Sequence, residues 1–187
     1  PISNLSNSGI DRIQIYVKEK PRTLVSHIST GRHYNINSKS GRLQILFTDS
    51  DQRNNIYNTD IASYYENMEC IEEMHHPYVV ITPDYMVYTA DFSKLIEQHI
   101  QSEADITLLY HAVDNAKDAY LNCNILNLNK QKGVLSIEPN HGNAKNRNIF
   151  MDTYIMKKDL FIELIRKAKA ISSAFTLADI INELHDE

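Results

Sequence analysis

The sequence predicts an α/β fold with a doubly wound, mostly parallel sheet that also contains antiparallel strands. Strand-like and helix-like patterns alternate between residues 60 and 113, which is typical of a parallel sheet wound by helices. Tyr78–Thr82 is a short apolar run rich in β-branched residues, as expected for a strand buried on both faces. After residue 122, two strand patterns flank the polar turn Lys130–Lys132 and predict an antiparallel hairpin.

Before this alternating region, the chain carries shorter patterns. Ile2–Ser8 has the composition of the last turns of a helix, and Gly9 is suited to end it. Arg12–Val17 and Leu43–Phe47 are predicted strands. Arg22–Ser29 is a predicted helix, and Thr48–Asn58 is a predicted polar loop.

The remaining elements follow from hydrophobic periodicity and capping residues. Asp91 and Thr176 are each placed to cap a helix that begins at the next residue. The other predicted helices are Asp60–His75 and Asp159–Ala170, and the other predicted strands are Asp105–Val113, Asn122–Asn129, Gly133–Pro139 and Ile149–Met156.

The composition is that of an ordinary globular domain. The chain has 187 residues, 42% hydrophobic and 23% charged, and we expect one domain over residues 1–187. The formal net charge of −5, with scattered lysines and arginines, argues against a nucleic-acid partner. Because no apolar run approaches about 18 residues, we expect a cytoplasmic protein that does not enter a membrane. Cys70 and Cys123 are expected to be buried free thiols.

Asp84 is a candidate metal ligand. Pro83 ends the central strand because it has no N–H to donate, and Asp84 follows at the strand's carboxyl end. Ligands of open α/β sheets bind at this edge. The alternative is an ordinary aspartate in a turn. None of the five glycines forms a G-x-G or P-loop pattern, so the sequence contains no common phosphate-binding loop.

Several stretches, in the right order and spacing, together resemble the glucose-1-phosphate adenylyltransferases (ADP-glucose pyrophosphorylases). The chain is most similar to the D-type (GlgD-type) subunit of bacterial glycogen synthesis, whose hallmarks include Met151–Tyr154. The stretches that carry the resemblance are Asn7–Ile10, Leu24–Gly31, Tyr57–Asn67, Tyr78–His99, Ala104–Thr107 and Ser172–Ile181.

The resemblance implies a sugar-nucleotidyltransferase (Rossmann-like) fold that is incomplete at both ends. Catalytic members join ATP and glucose 1-phosphate into ADP-glucose and pyrophosphate with Mg²⁺. On this comparison the glycine-rich loop for ATP would precede the chain. The second metal-binding Asp and a β-helix domain would follow Glu187. The resemblance assigns Asp84 as the metal ligand, for Mg²⁺ if the site is functional.

The same resemblance locates the sugar-phosphate site. In the F-V-E-K-P motif, Glu138 takes the place of the carboxylate that binds glucose hydroxyls, and Pro139 replaces the phosphate-binding Lys. In the S-M-G motif, Phe150 takes the place of a small residue and would fill the sugar's space. Asp152 replaces Gly and would bring a negative charge near the phosphate. In the nucleotide motif G-T-A-D-A, Thr59 replaces Gly, and the resemblance leaves the nucleotide-binding residues unassigned.

These departures remove one cation and add one anion where nucleotidyl transfer needs positive charge. We therefore expect a regulatory or non-catalytic subunit that assembles with a catalytic glucose-1-phosphate adenylyltransferase subunit and has no catalytic residues of its own. The first alternative is an active nucleotidyltransferase that binds ATP and sugar phosphate, with Asp84 on Mg²⁺ and Glu138 on the sugar. The second is an unrelated α/β binding domain.

Overall fold

The computed structural model of the chain describes residues 2–10, 12–17, 42–47 and 59–185. In these ranges the strands are β1 (Arg12–Val17), β2 (Arg42–Phe47), β3 (Tyr78–Ile81), β4 (Ile106–Val113), β5 (Asn124–Leu128), β6 (Val134–Pro139) and β7 (Arg147–Lys157). The helices are α1 (Ile2–Asn7), α2 (Asp60–Glu66), α3 (Met68–Glu72), α4 (Phe92–Ser102), α5 (Lys158–Ile171) and α6 (Leu177–Glu183).

Strand β7 is the centre of a five-stranded sheet. β4 pairs antiparallel along one edge of β7, from residue 147 to residue 156. β3 and β5 pair antiparallel with the opposite edge, and β6 continues the sheet beyond β5. β1 and β2 form a separate parallel pair. All strands of the larger sheet are therefore organised around β7.

The predicted α/β fold class with an open, mixed sheet is confirmed, but its strand pairs are less parallel than expected. β3 and β4 run in the same direction, as the strand–helix–strand pattern predicts, yet β7 lies between them and runs the opposite way. Among the described pairs, only β1 with β2 is parallel. An alternating pattern predicts the direction of consecutive strands and does not predict that a later strand is inserted between them.

Helices cover both faces of the sheet, as a doubly wound fold requires. In β3, Val79 packs into the main core with α2, α3, α5 and α6, whereas Val80 packs on the other face with α1 and α4. Successive side chains of a strand point to opposite faces. The prediction that this strand is covered on both faces is therefore confirmed.

The predicted helix Asp60–His75 is two helices, because the chain breaks at Asn67. The Asn67 backbone leaves the helical region (φ −109°, ψ 25°), and its side-chain amide donates to the carbonyl oxygen of Ser63 at 2.9 Å. A local side-chain hydrogen bond of this kind competes with the helical ladder. The other described elements lie within a few residues of their predicted bounds. The predicted helix Arg22–Ser29 and loop Thr48–Asn58 lie outside the described residues.

Both cysteines are free thiols, as predicted, although Cys70 and Cys123 are half-buried rather than fully buried. Among the described residues no helix combines the length and apolar character needed to cross a membrane.

Candidate functional site at the break in strand β7

Strand β7 changes partner along one edge, and the change leaves a notch at residues 151–153. β3 pairs with residues 154–157 of β7, and β5 pairs with β7 at Ile149. In the described pairing, neither strand reaches the four residues between these two contacts, and the last three of them, Met151 to Thr153, form the notch. The notch lies at the carboxyl end of β3, the edge at which open α/β sheets bind ligands.

A β-bulge shapes the notch from the other edge of β7. Leu108 lies opposite Tyr154 and Tyr110 lies opposite Phe150, so one residue of β4 faces three residues of β7. In this bulge Asp152 has a φ of +46°, in the left-handed region. Aspartate tolerates this region better than most residues, although glycine is freer there. The Gly that Asp152 replaces in the S-M-G motif is therefore the residue type that this backbone favours.

Asp152 is a half-buried carboxyl group close to a second one. Burial, and to a smaller extent the negative charge of Asp60, together raise its pKa to about 6. Asp60 is the first residue of α2. Its carboxylate accepts hydrogen bonds from the backbone N–H groups of Ile61 at 2.7 Å and Leu177 at 3.2 Å. Asp60 thus joins α2 to α6 and gives the surroundings of Asp152 a negative potential, which disfavours a phosphate.

The Asp152→Asn variant should be more stable than the natural chain at about pH 8, by roughly 1–2 kcal/mol after allowance for the partial exposure of the carboxyl group. Because its pKa is raised in the folded state, the folded chain binds more protons than the unfolded chain between about pH 4 and 6. Stability is therefore lost as the pH rises through this window. Urea unfolding at about pH 4 and pH 8 measures the difference.

The exposed aspartate variant Asp118→Asn is the matched control for this measurement and should change little at either pH. An equal effect of Asp152→Asn at both pH values would contradict the assignment of a raised pKa to Asp152.

Asp84 lies on an exposed loop that is fastened to the notch. Tyr88, further along this loop, places its hydroxyl 2.5 Å from the hydroxyl of Thr153 and 3.3 Å from that of Thr82. Where the loop ends, the N–H of Phe92 donates a hydrogen bond at 3.1 Å to the hydroxyl of Ser8, the residue that directly follows α1. These bonds hold the carboxyl end of the Asp84 loop.

This loop offers a single carboxylate toward the Mg²⁺ ion that the family resemblance implies. Mg²⁺ is commonly bound through one or two carboxylates together with phosphate oxygens and water. Asp84 supplies one exposed carboxylate, and no group of three or more acidic, His or Cys side chains suited to a metal lies among the described residues. Asp84 alone would thus be the protein ligand offered by this part of the chain.

Glu138 lies on β6, two strands away from β7. It is exposed and pairs with Ile125 of β5, which in turn pairs with Ile149 of β7. Its neighbour Ile137 packs into the main core, so the Glu138 side chain points to the other face of the sheet. The structure therefore joins the Asp84 loop to the notch that contains Asp152, while β5 separates Glu138 from them.

Thr59 and Phe150 have structural partners in this region. The Thr59 hydroxyl accepts a hydrogen bond from the N–H of Ala62 at 3.2 Å and caps α2. Phe150 is fully buried in the main core, where its ring meets the Tyr154 ring edge-on with centroids 5.1 Å apart.

The sequence patterns did not point to Asp60 as the neighbour of Asp152, nor to the buried tyrosines around them. Burial, and then nearby acidic groups that include Asp60, raise the pKa of Tyr64 and the pKa of Tyr154. Both phenols are therefore protonated throughout the physiological pH range. One feature of the sequence could have indicated the bulge: Asp152 takes the place of a family glycine, and glycine is the residue type that favours a positive φ.

Comparisons with known proteins agree with the fold and with the resemblance. A family model described as nucleotidyl transferase matches residues 1–186. The chain is 30% identical over 156 residues to the glucose-1-phosphate adenylyltransferase of Clostridium perfringens (strain SM101 / Type A). The matched segment covers 83% of this chain and 40% of that protein. The corresponding protein of Clostridioides difficile (strain 630) is 25% identical over 169 residues, which is 90% of this chain and 43% of that protein.

Among solved structures, HddC from Yersinia pseudotuberculosis matches with a TM-score of 0.68 at 14% identity. The match covers 95% of this chain and 67% of that one. At this identity the likeness concerns the fold alone. The chain spans about two fifths of the length of the curated relatives that it matches.

Proposed function

The chain belongs to the nucleotidyl transferase family, and from this premise we propose that it is a regulatory or non-catalytic subunit of glucose-1-phosphate adenylyltransferase in bacterial glycogen biosynthesis. It would act in the cytoplasm, in a hetero-oligomer with a catalytic subunit. The curated relatives named glucose-1-phosphate adenylyltransferase support the substrate class.

One observation carries the proposal, namely the acidic notch in β7. Asp152, with Asp60 beside it, occupies the place that the family resemblance assigns to the sugar phosphate. A phosphate dianion brought there meets like charge in a partly desolvated site, where repulsion is stronger than in water. Pro139 stands where the resemblance expects the phosphate-binding Lys. A charge-assisted hydrogen bond lost in this way weakens binding by about 1.5–3 kcal/mol.

Asp84 favours the alternative. In that alternative the protein is an active nucleotidyltransferase that makes ADP-glucose from ATP and glucose 1-phosphate. The Asp84 carboxylate stands three residues after Ile81, the last paired residue of β3, on a loop held against the notch. In that case Asp84 would hold Mg²⁺ and Glu138 would bind the sugar. The Mg²⁺ ion would supply positive charge on the transferred phosphates.

Thermal unfolding with added ligand separates the two proposals. A ligand at 100 times its dissociation constant stabilises a protein by about 2.7 kcal/mol. We expect millimolar glucose 1-phosphate to leave the melting temperature of the full natural protein unchanged, while it raises that of the Clostridium perfringens relative. The variant Asp152→Gly, which removes the charge and keeps the backbone preference, should bind the sugar phosphate better than the natural chain.

A clear rise in melting temperature of the natural protein with glucose 1-phosphate would contradict the regulatory proposal. If, in addition, the Asp84→Asn variant lost its stabilisation by ATP with Mg²⁺, the active alternative would be supported.

A further inference from the structure

Away from the notch, a cavity of about 770 Å³ opens at the end of the β4–β7 pair. It lies where β4 ends and β7 begins, near the pairs Ala112–Asn148 and Val113–Arg147. Its volume is within the usual range for sites that bind small molecules. The side chains that give this groove its chemistry are His111, Asp114, Asn115, Tyr120, Arg147 and Asn148.

The two walls of the groove are tied together. β4 and β7 pair up to Val113 and Arg147, and just beyond them the N–H of Ala116 donates to the carbonyl oxygen of Lys145 at 2.9 Å. Ala116 is fully buried in a small apolar cluster with Ile125. The groove is therefore held by backbone hydrogen bonds and by packing beneath it.

Asn140 fixes the loop that presents Tyr120. It is 4% exposed, and its side-chain amide donates to the carbonyl oxygens of Ala116 at 2.8 Å, Ala119 at 3.3 Å and Tyr120 at 3.0 Å. Tyr120 itself has a φ of +59°, in the left-handed region, which is an outlier for so bulky a residue. A strained backbone persists only where its surroundings hold it, and such positions cluster at binding sites.

From this arrangement we infer that the groove binds a neutral oligosaccharide. Tyr120 lines the groove and is 45% exposed as a residue, and an aromatic ring can stack on the apolar C–H face of a sugar ring. The amides of Asn115 and Asn148 each offer both a donor and an acceptor, as a row of sugar hydroxyls requires. Asp114 and Arg147 add one charge of each sign, so their formal charges cancel.

Other ligand classes fit the groove less well. A phosphate or nucleotide would need a surplus of positive charge, whereas the single arginine of this lining is matched by Asp114. An apolar peptide would need a row of apolar side chains, and most of the side chains that line the groove are polar. The inference is independent of the proposed function, since the groove is a cavity separate from the notch.

Titration of the isotope-labelled chain by NMR, with maltotetraose in one arm and cellotetraose in another, tests the inference. At about 10 mM sugar, we expect amide shifts confined to the groove residues in at least one arm. The Tyr120→Ala variant should weaken that binding about tenfold, because the stacking ring is lost. Tyr120→Phe, which keeps the ring, is the matched control and should bind within about threefold of the natural chain.

The exposed substitution Asp114→Ala provides a second test that does not depend on the strained position, and it should also weaken sugar binding. Groove residues that do not shift in either sugar arm, or a Tyr120→Ala variant that binds as well as the natural chain, would overturn the inference. Shifts caused by inorganic phosphate and by neither sugar would overturn it as well, because they would identify an anion site.

Discussion

Truncation of Phe150 to alanine is expected to lower the free energy of unfolding by about 3–5 kcal/mol. The ring is fully buried in the main core and packs edge-on against Tyr154. Its removal leaves a cavity in an interior that cannot fully collapse around it. Urea unfolding monitored by circular dichroism measures the loss. Leu135→Ala, at a half-exposed position of β6, is the matched control and should cost less than about 1 kcal/mol.

The Phe150 variant also bears on function. If the ring only filled a space meant for the sugar, its removal would cost little stability and would let glucose 1-phosphate bind. A loss below about 1 kcal/mol together with new binding of glucose 1-phosphate would contradict the core assignment of Phe150. A large loss without such binding supports it.

Replacement of Asn140 by alanine is expected to cost about 2–4 kcal/mol of unfolding free energy. The change removes one side-chain amide that serves three backbone carbonyls, and each buried polar group left without a partner costs about 1–3 kcal/mol. The Asn140 side-chain oxygen also accepts a hydrogen bond from the N–H of Gly142 at 3.1 Å. The loop that carries Tyr120 should loosen first, and hydrogen exchange would locate the loss.

Asn146→Ala is the matched control for Asn140, because Asn146 is an exposed asparagine of the same groove. Equal effects of the two substitutions would contradict the role given to Asn140. Two results would support that role. The free energy of unfolding of Asn140→Ala should fall, and under mild conditions faster hydrogen exchange should be confined to residues 115–123.

Much of the fold could be predicted because local signals agree with the tertiary structure. Asp91 and Thr176 cap α4 and α6 as the sequence predicts, and Thr176 forms a full capping box with Asp179. Gly9 ends α1 with a positive φ of 79°. In each case one residue type satisfies backbone groups within a few positions, so the signal is contained in a short window.

The order of strands across the sheet could not be predicted in the same way. The insertion of β7 between β3 and β4 pairs residues that are 34 to 79 positions apart, and no local pattern encodes that pairing. The break at Asn67 was missed because the apolar spacing of the segment continues through it, while the interrupting hydrogen bond depends on one side-chain amide.

The candidate site was predicted in part. The position of Asp84 at the carboxyl end of β3 followed from a buried strand and a proline. The raised pKa of Asp152 depends on burial and on Asp60, which is 92 positions earlier, so the sequence alone could not reveal it. The separation of Glu138 from Asp152 depends on the position of β5 between their strands. The sugar-binding and metal-binding roles of these residues stay predictions.

The release of pyrophosphate from ATP and glucose 1-phosphate in the presence of Mg²⁺ tests the regulatory role most directly. The full natural protein should be assayed alone, and then mixed with a catalytic glucose-1-phosphate adenylyltransferase from the same organism. We predict no release above background by the protein alone, and a faster rate or an altered effector response in the mixture. A normal rate by the protein alone, abolished by Asp84→Asn in a variant that remains folded, would contradict this account.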